Sequence, residues 1–232
     1  MTIQDHELRS LPGVRVALKR SARARRFALR VSRVDGAVTL TLPPRAPLAE
    51  AIAFAEGQAD WLARALAQMP QARRPAFGAT LPFEGVECRI EAGAVRAPRL
   101  EGARLIVPAG EERLALRLET FLKHCARARL QAATERHAAA LGRPFRRITL
   151  RDTRSRWGSC APDGSLSYSW RLIMAPPAVL DYVAAHEVAH LAQMNHSPAF
   201  WAEVARLMPG YEPHRRWLKR EGGALQAIRF RD

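Results

Sequence analysis

Residues 183–201, VAAHEVAHLAQMNHSPAFW, bring three of the chain's seven histidines and a glutamate into one short stretch. On an α-helix, His186 and His190 lie about 40° apart around the axis and about 6 Å apart along it, so both imidazoles can reach one zinc ion. Glu187 projects about 100° from His186, at the edge of the same face. The stretch therefore predicts a metal site on a helix, with Glu187 placed to take a proton rather than to bind the ion.

The third histidine can share this ion only if the helix ends before it. On a continuous helix, His196 would lie about 9 Å beyond His190 and on another face. Asn195 is expected to end the helix in the left-handed conformation. Ser197 followed by Pro198 is typical of the N-cap and first turn of a new helix. We therefore predict that His196 lies in the corner between two helices and turns back toward the metal.

The length and composition are those of a globular protein with one large domain or two small ones. The chain has 232 residues, of which 48% are hydrophobic and 25% charged, so it can bury a core without disulfides. No apolar run approaches the roughly 20 residues of a membrane span, and no secretory signal is visible. Three widely spaced cysteines favour free thiols in a reducing compartment. We therefore expect a cytoplasmic protein with unpaired Cys88, Cys125 and Cys160.

The chain is strongly basic, with 37 Lys and Arg against 22 Asp and Glu and a formal net charge of +15. Such an excess raises the affinity for polyanions. The pattern fits either a solvated strand face or a surface for nucleic acid or another anionic partner. Part of the charge lies in one segment of the N-terminal region, at Arg15, Lys19, Arg20, Arg23, Arg25, Arg26, Arg30 and Arg33.

The sequence of the first half of the chain predicts mainly strands. Alternating apolar residues on both sides of Asp35-Gly36 predict a β-hairpin. A helix is expected over about residues 47–69, followed by short strands over residues 78–108 that are separated by Gly and Pro. A long helix is predicted over about residues 111–141.

The second half combines strands and helices. FRRITLRD and RSRWGSC are predicted strands, a turn is expected at residues 162–164, and SLSYSW alternates apolar residues with serines. Three helices are expected to begin near Pro177, Pro198 and Glu212. The elements predict two domains, a β-rich N-terminal region with one helix over residues 1–110 and a metal-binding catalytic domain over residues 111–232.

Several of these motifs together resemble the YgjP-like family of zinc metallopeptidases, which is related to SprT and WLM. The motifs are RWGSC, LIMAPP with DYV, HEVAH, NHSPAFW and MPGYEPHRRWL. The resemblance is strong over about residues 148–220 and looser in the N-terminal half. It implies an α+β fold whose C-terminal half is zincin-like and carries an HExxH active-site helix. The ligand spacing is also similar to that of metzincins, with Gln193 in place of their glycine.

The resemblance implies that one zinc ion is bound by three histidines and that Glu187 is the catalytic base. The expected function is a zinc-dependent hydrolase, foremost a metallopeptidase that cleaves peptide bonds with a Glu-activated, zinc-bound water. A nucleotide or phosphoanhydride hydrolase with the same site is one alternative, and a nucleic-acid-binding module with structural zinc is another. A base beside the ion argues against purely structural zinc. The implied ligands are His186, His190 and His196.

Other residues are candidates for contacts with the substrate. Trp157, Gly158 and Ser159 are predicted to form a strand that lines the cleft, where small residues let a substrate backbone pair alongside. The alternative is a hairpin strand whose Trp157 packs in the core. Cys160 has no neighbouring base and is not expected to be a nucleophile. The candidates for stabilising the oxyanion are Arg154, Arg171, Tyr182 and His214.

Overall fold

The computed structural model of the protein describes residues 4–32, 36–153 and 155–231. It combines sheets and helices, which confirms the predicted α+β class. The chain divides into two compact units, Met1–Gln71 and Ala72–Asp232. Among the described residues, no helix has both the length and the hydropathy to cross a membrane. All three cysteines are unpaired, as predicted.

The first unit is built on a four-stranded sheet. Its strands are β1 (Gln4–Glu7), β2 (Arg15–Arg20), β3 (Ala28–Val31) and β4 (Val38–Leu42). They lie in the order β1-β2-β4-β3, with β2 and β4 parallel and the other neighbours antiparallel. The pairing of β3 with β4 confirms the predicted hairpin strands, whereas Asp35 of the predicted turn lies outside the described residues. The core of this unit includes Val16, Leu18, Val38, Leu40, Leu42, Ala51, Ala55 and Leu62.

The helix predicted over residues 47–69 is in fact two helices, α1 (Leu48–Glu56) and α2 (Ala59–Ala67). The first ends at Gly57, whose N–H bonds the carbonyl of Ala53 as the C-cap. The prediction of a single helix was therefore wrong. A glycine inside a helix costs only about 1 kcal/mol, so Gly57 alone does not indicate a break in the sequence pattern.

The second unit begins with another four-stranded sheet. Its strands are β5 (Thr80–Phe83), β6 (Val86–Gly93), β7 (Arg99–Glu101) and β8 (Arg104–Pro108). They lie in the order β5-β6-β8-β7. The long helix α3 (Leu114–Leu141) follows a single 3₁₀ turn at Glu111–Arg113, which confirms the helix predicted over residues 111–141.

The boundary between the compact units lies after Gln71, whereas the sequence predicted a boundary near residue 110. The reason is packing, because Ile90 and Leu105 of the second sheet share one core cluster with Leu118 of α3. These strands therefore belong to the unit that also contains the histidines. The assignment of catalysis to residues 111–232 stays a prediction.

The third sheet and three helices complete the second unit. The strands are β9 (Arg147–Arg151), β10 (Gly158–Cys160) and β11 (Ser165–Ser169), in the order β10-β11-β9, so β10 is at an edge. Leu166 and Tyr168 of β11 are buried, as the alternation predicted, and Trp170 is buried in the 3₁₀ segment that follows. The helices α4 (Pro177–Ala189), α5 (Pro198–Leu207) and α6 (Glu212–Gln226) begin where the sequence predicted.

Candidate metal centre

Helix α4 holds its polar residues in place because most of the helix is buried. Pro177 occupies the first turn, where a missing N–H costs nothing. Val179, Val183 and Val188 belong to the core cluster that also includes α3. The register of α4 is therefore fixed by packing, and His186 and Glu187 are carried in its last turn.

The helix ends before the third histidine, as predicted. Its last residue is Ala189, and His190 is the C-cap. The side chain of Ser197 caps α5 by accepting a hydrogen bond from the Phe200 N–H at 3.4 Å. His196 thus lies in the corner between α4 and α5, on the exposed side.

The role expected for Asn195 was wrong. Among the described residues other than glycine, only Glu84 has a positive φ, so Asn195 is not left-handed. Its side-chain oxygen accepts a hydrogen bond from the Ser197 N–H at 3.3 Å instead. The side chain of Asn195 therefore shapes the corner, and no left-handed residue is needed.

Three imidazoles converge at this corner. Nε2 of His196 lies 3.2 Å from Nε2 of His186, and the ring centroids of His190 and His196 are 4.8 Å apart. One nitrogen from each ring lies within 4.8 Å of the others. Two nitrogens bound to one tetrahedral zinc at 2.0–2.1 Å would be separated by about 3.3–3.4 Å. The arrangement is therefore of the size that a zinc ion requires.

The surroundings of the rings also fit a metal ion. Nδ1 of His190 donates to the carbonyl of Gln193 at 3.0 Å, which leaves Nε2 as the nitrogen with a free lone pair. Nδ1 of His186 is buried and has no hydrogen-bond partner among the described residues. Burial lowers the pKa of His186 to about 3. His186 is therefore neutral, as a metal ligand must be.

Phe200 forms the base of this cluster. Its ring is fully buried and stacks on His190 at 4.4 Å between centroids. It meets the rings of His186 and His196 edge-on, at 4.9 and 4.7 Å. Phe200 therefore contacts all three imidazoles, and the N-cap at Ser197 fixes the start of the helix that carries it. Sequence reasoning missed this role, although the position of Phe200 in the first turn of α5 was predictable.

Glu187 lies beside the three histidines and does not belong to their cluster. It is buried, with 5% of its surface exposed. Burial raises its pKa to about 8, and the charge of Arg156 opposes this rise. A divalent ion held by the imidazoles would act in the same direction as Arg156.

A cleft of about 430 Å³ contains the histidines and Glu187. Of the predicted substrate contacts, Trp157, Gly158, Ser159 and Tyr182 line it. Arg154 lies outside the described residues. Sequence reasoning did not assign Arg156, Val183, Met194 or Leu218 to the lining of the cleft.

Trp157 both lines the cleft and packs against the core. Its ring lines the cleft and also lies so close to α6 that a Cβ on Gly222 would meet Cζ2 at 2.8 Å. Cys160 lines the same cleft, and burial raises the pKa of its thiol to about 11. The thiol is therefore protonated at neutral pH.

Arg171 and His214 do not line the cleft. The Arg171 guanidinium is buried, pairs with Asp152 at 2.6 Å and donates to the carbonyls of Leu225 and Ile228. Arg171 therefore ties the end of α6 to the 3₁₀ segment after β11, and its hydrogen bonds are made outside the lining of the cleft. His214 lies in the first turn of α6, where its N–H bonds the carbonyl of Tyr211.

A stack of near-parallel rings also packs beside the histidines. Tyr182 lies 5.9 Å from Tyr211, which lies 5.6 Å from Trp201. The guanidinium of Arg215 covers Trp201 at 4.3 Å, a cation–π contact. Trp201 in turn lies 5.8 Å from His196. Burial raises the pKa of Tyr182 to about 12, so its hydroxyl is protonated beside the site.

Comparison with known protein families identifies the chain. The family described as YgjP-like, metallopeptidase domain, matches residues 25–221. The chain belongs to the YgjP-like family. This YgjP-like chain is thus placed among the metallopeptidases, and the match confirms the resemblance seen in its motifs.

Solved structures and curated proteins add little to this assignment. One similar structure is titled "Crystal structure of the metallopeptidase zymogen of Pyrococcus abyssi abylysin". It is 20% identical in sequence, with a TM-score of 0.36, and the similarity covers 39% of the YgjP-like chain and 93% of the other. No curated protein matches the YgjP-like chain.

Proposed function

We propose that this chain is a zinc-dependent peptidase in which His186, His190 and His196 hold the ion and Glu187 is the general base. The observation that carries the proposal is the convergence of three imidazoles beside one buried carboxylate in a cleft. A structural zinc site is closed by its protein ligands, whereas three ligands leave a position open for chemistry. The hydrolytic alternative is therefore favoured over a structural ion.

The mechanism assigns one task to each part of the site. When bound, zinc supplies a Lewis acid that polarises a carbonyl and acidifies a water. Glu187 accepts a proton from the attacking water on a carboxylate oxygen and returns it to the nitrogen of the leaving amine. The protonated hydroxyl of Tyr182, which lines the cleft, is our candidate for the donor to the developing oxyanion.

The edge strand β10 supports a peptide as the substrate. The carbonyl of Trp157 accepts a hydrogen bond from the Ser169 N–H at 2.8 Å, so this pair bonds directly across to β11. In an antiparallel ladder, hydrogen-bonded pairs of residues alternate with pairs that are not hydrogen-bonded. Gly158 and Cys160 belong to pairs of the second kind, so their backbone N–H and C=O groups point away from β11. These groups bond no other described residue. An extended peptide can therefore pair with this edge beside Glu187.

The first test measures zinc content and hydrolysis of an unfolded protein on the same purified variants. Wild type should contain about one zinc per chain, and His196→Ala should lose most of it. Glu187→Gln should keep the zinc and lose hydrolysis by about 10²–10⁴-fold, because only the base is removed. His124→Ala, exposed on α3 outside the cleft, is the matched control and should match wild type on both measurements.

Two outcomes would contradict the proposal. Full zinc content in His196→Ala would mean that other residues hold the ion. Release of pyrophosphate or phosphate from a nucleotide, without peptide cleavage and lost in Glu187→Gln, would assign the same site to phosphoanhydride chemistry.

The sheet of the first unit favours a second candidate function, binding to nucleic acid. Its register places Lys19 beside Thr41, and Arg30 beside Thr39, on the face opposite the core. Both cations are exposed and have no ion-pair partner among the described residues. Arg15, also exposed, lies on the same face of β2. This face offers positive charge with small side chains between, which suits a phosphate backbone.

The test is a titration of a fluorescent DNA duplex at several salt concentrations. Charge removal in Lys19→Ala/Arg30→Ala should weaken binding and lower the salt slope by about 2, since each phosphate contact contributes about 0.9. Arg216→Ala, exposed on α6, serves as the control for a lost arginine. Equal slopes in the double variant and wild type would assign any DNA binding to another surface.

A further inference from the structure

Gly158 is in a position that no other residue type could occupy without disturbing Glu187. A Cβ built on Gly158 would lie 2.5 Å from Oε1 of Glu187, 2.6 Å from its Cγ and 2.7 Å from its Cδ. Ordinary carbon contacts begin at about 3.5 Å. The space that a side chain would fill at residue 158 is thus taken by the carboxylate of Glu187.

The backbone does not explain the glycine. Gly158 is not among the residues with a positive φ, so alanine can adopt its conformation without strain. The three nearest atoms that a Cβ would meet all belong to Glu187. The closest contacts that exclude a side chain at residue 158 therefore all come from Glu187.

Neither neighbouring element can move away to make room. The strand β10 is held to β11 by hydrogen bonds at both ends, at 2.8 Å from Ser169 to Trp157 and at 2.9 Å from Ala161 to Ser165. Helix α4 is fixed by its buried valines. A side chain on residue 158 would therefore displace the carboxylate of Glu187 and leave the main chain in place.

We propose that Gly158 is a positioning residue, whose missing side chain lets the carboxylate of Glu187 lie between β10 and the three imidazoles. The inference rests on the proposed function, because the position of Glu187 affects catalysis only if Glu187 is the general base. It assigns Gly158 a role distinct from pairing with substrate. The strand β10 then has two tasks, since its edge faces the substrate and one face supports the base.

The variant that tests this is Gly158→Ala, studied by crystallography in the zinc-loaded protein. We expect the carboxylate of Glu187 to move by about 1 Å or more, from 2.5 Å to an ordinary contact with the new Cβ. The three imidazoles and the zinc content should be unchanged. Gly57→Ala is the matched control, because Gly57 has an ordinary φ of −65° and only ordinary contacts at 3.5 and 3.6 Å. An unmoved Glu187 in Gly158→Ala would overturn the proposal.

Kinetics separate positioning from substrate binding. With a peptide substrate, Gly158→Ala should lower kcat by about 100-fold and leave KM within about twofold. A raised KM with normal kcat would overturn the proposal and would indicate that Gly158 acts in substrate binding. The crystal structure does not depend on activity. If wild type proves inactive on peptides, the proposed function fails while the displacement of Glu187 is still measured.

A double variant covers the case in which Gly158→Ala does not fold. Gly158→Ala/Glu187→Ala removes the side chain that the new methyl group would meet. We expect the double variant to fold and to have the thermal midpoint of Glu187→Ala, within about 1 °C. If the double variant also failed to fold, the glycine would be needed for some other contact and the proposal would be wrong.

Discussion

At the scale of single residues, the candidate centre depends on side chains that carry no charge. Phe200 contacts all three imidazoles, and Gly158 leaves the space that Glu187 occupies. Neither residue could bind an ion or move a proton. Their effect is to restrict where the histidines and the glutamate lie, which is what separates a working site from a set of suitable residues.

Phe200→Leu should weaken zinc binding as well as the fold. Leucine keeps the site apolar, so the free energy of unfolding of the metal-free protein should fall by about 1.5 kcal/mol or less. The rings lose their flat support, and zinc affinity should fall by about tenfold, as for other residues that orient ligands. Competition with a chelator measures the affinity.

Phe230→Leu is the matched control for this change. Phe230 is a buried phenylalanine that packs edge-on against Trp170, and it does not line the cleft. Its replacement should cost similar stability without changing zinc affinity. A similar loss of affinity in both variants would show that Phe200 acts through general stability alone.

At the scale of elements, the sequence predicted best what is encoded locally. The helices α4, α5 and α6 begin at Pro177, Pro198 and Glu212 because N-cap and proline signals act within one turn. The same locality explains the site prediction. His186 and His190 are four residues apart, in the last turn and at the C-cap of α4, and Ser197 and Pro198 begin the next helix directly after His196.

What the sequence could not predict depends on distant contacts. The strands of residues 80–108 join the second unit because they pack on α3, and no local pattern records that choice. Arg171 was a candidate for substrate contact, but Asp152 and two carbonyls near the C-terminus bind it. The contact between Gly158 and Glu187 joins a strand to a helix, so neither segment alone reveals it.

At the scale of the whole molecule, an ion pair between a buried carboxylate and an exposed arginine joins the last described residues to the long helix. Glu119 of α3 is buried, and both its oxygens accept hydrogen bonds from Arg231, at 2.8 and 3.0 Å. Lys123 lies 2.6 Å from the same carboxylate. Burial alone would raise the pKa of Glu119, but the two cations outweigh it and the pKa lies below its ordinary value.

The lowered pKa predicts a loss of stability in acid. The contribution of Glu119 is complete above the ordinary carboxyl pKa of 4.5 and is lost as the pH falls through the lower pKa of the folded state. Arg231→Gln should lower the free energy of unfolding modestly near pH 7, because the Arg231 side chain is 70% exposed and water screens its attraction to Glu119. It should also reduce the difference between the values near pH 7 and near pH 3.

Urea unfolding at both pH values measures this effect. Arg229→Gln is the control, because Arg229 is exposed close to Arg231 and its side chain does not contact Glu119. An acid transition in Arg231→Gln identical to that of wild type would mean that other carboxylates dominate the acid sensitivity.

If a peptide pairs with the edge of β10 as proposed, the geometry of that edge also restricts which sequences can bind. Gly158 and Cys160 present their backbone groups two residues apart, about 6.8 Å along the strand. A chain paired with them must offer amide hydrogens at the same interval, and proline has none. Successive side chains of such a bound chain would point to opposite faces of the sheet. The edge would therefore select side chains at every second residue of the bound chain and would exclude proline at the paired positions.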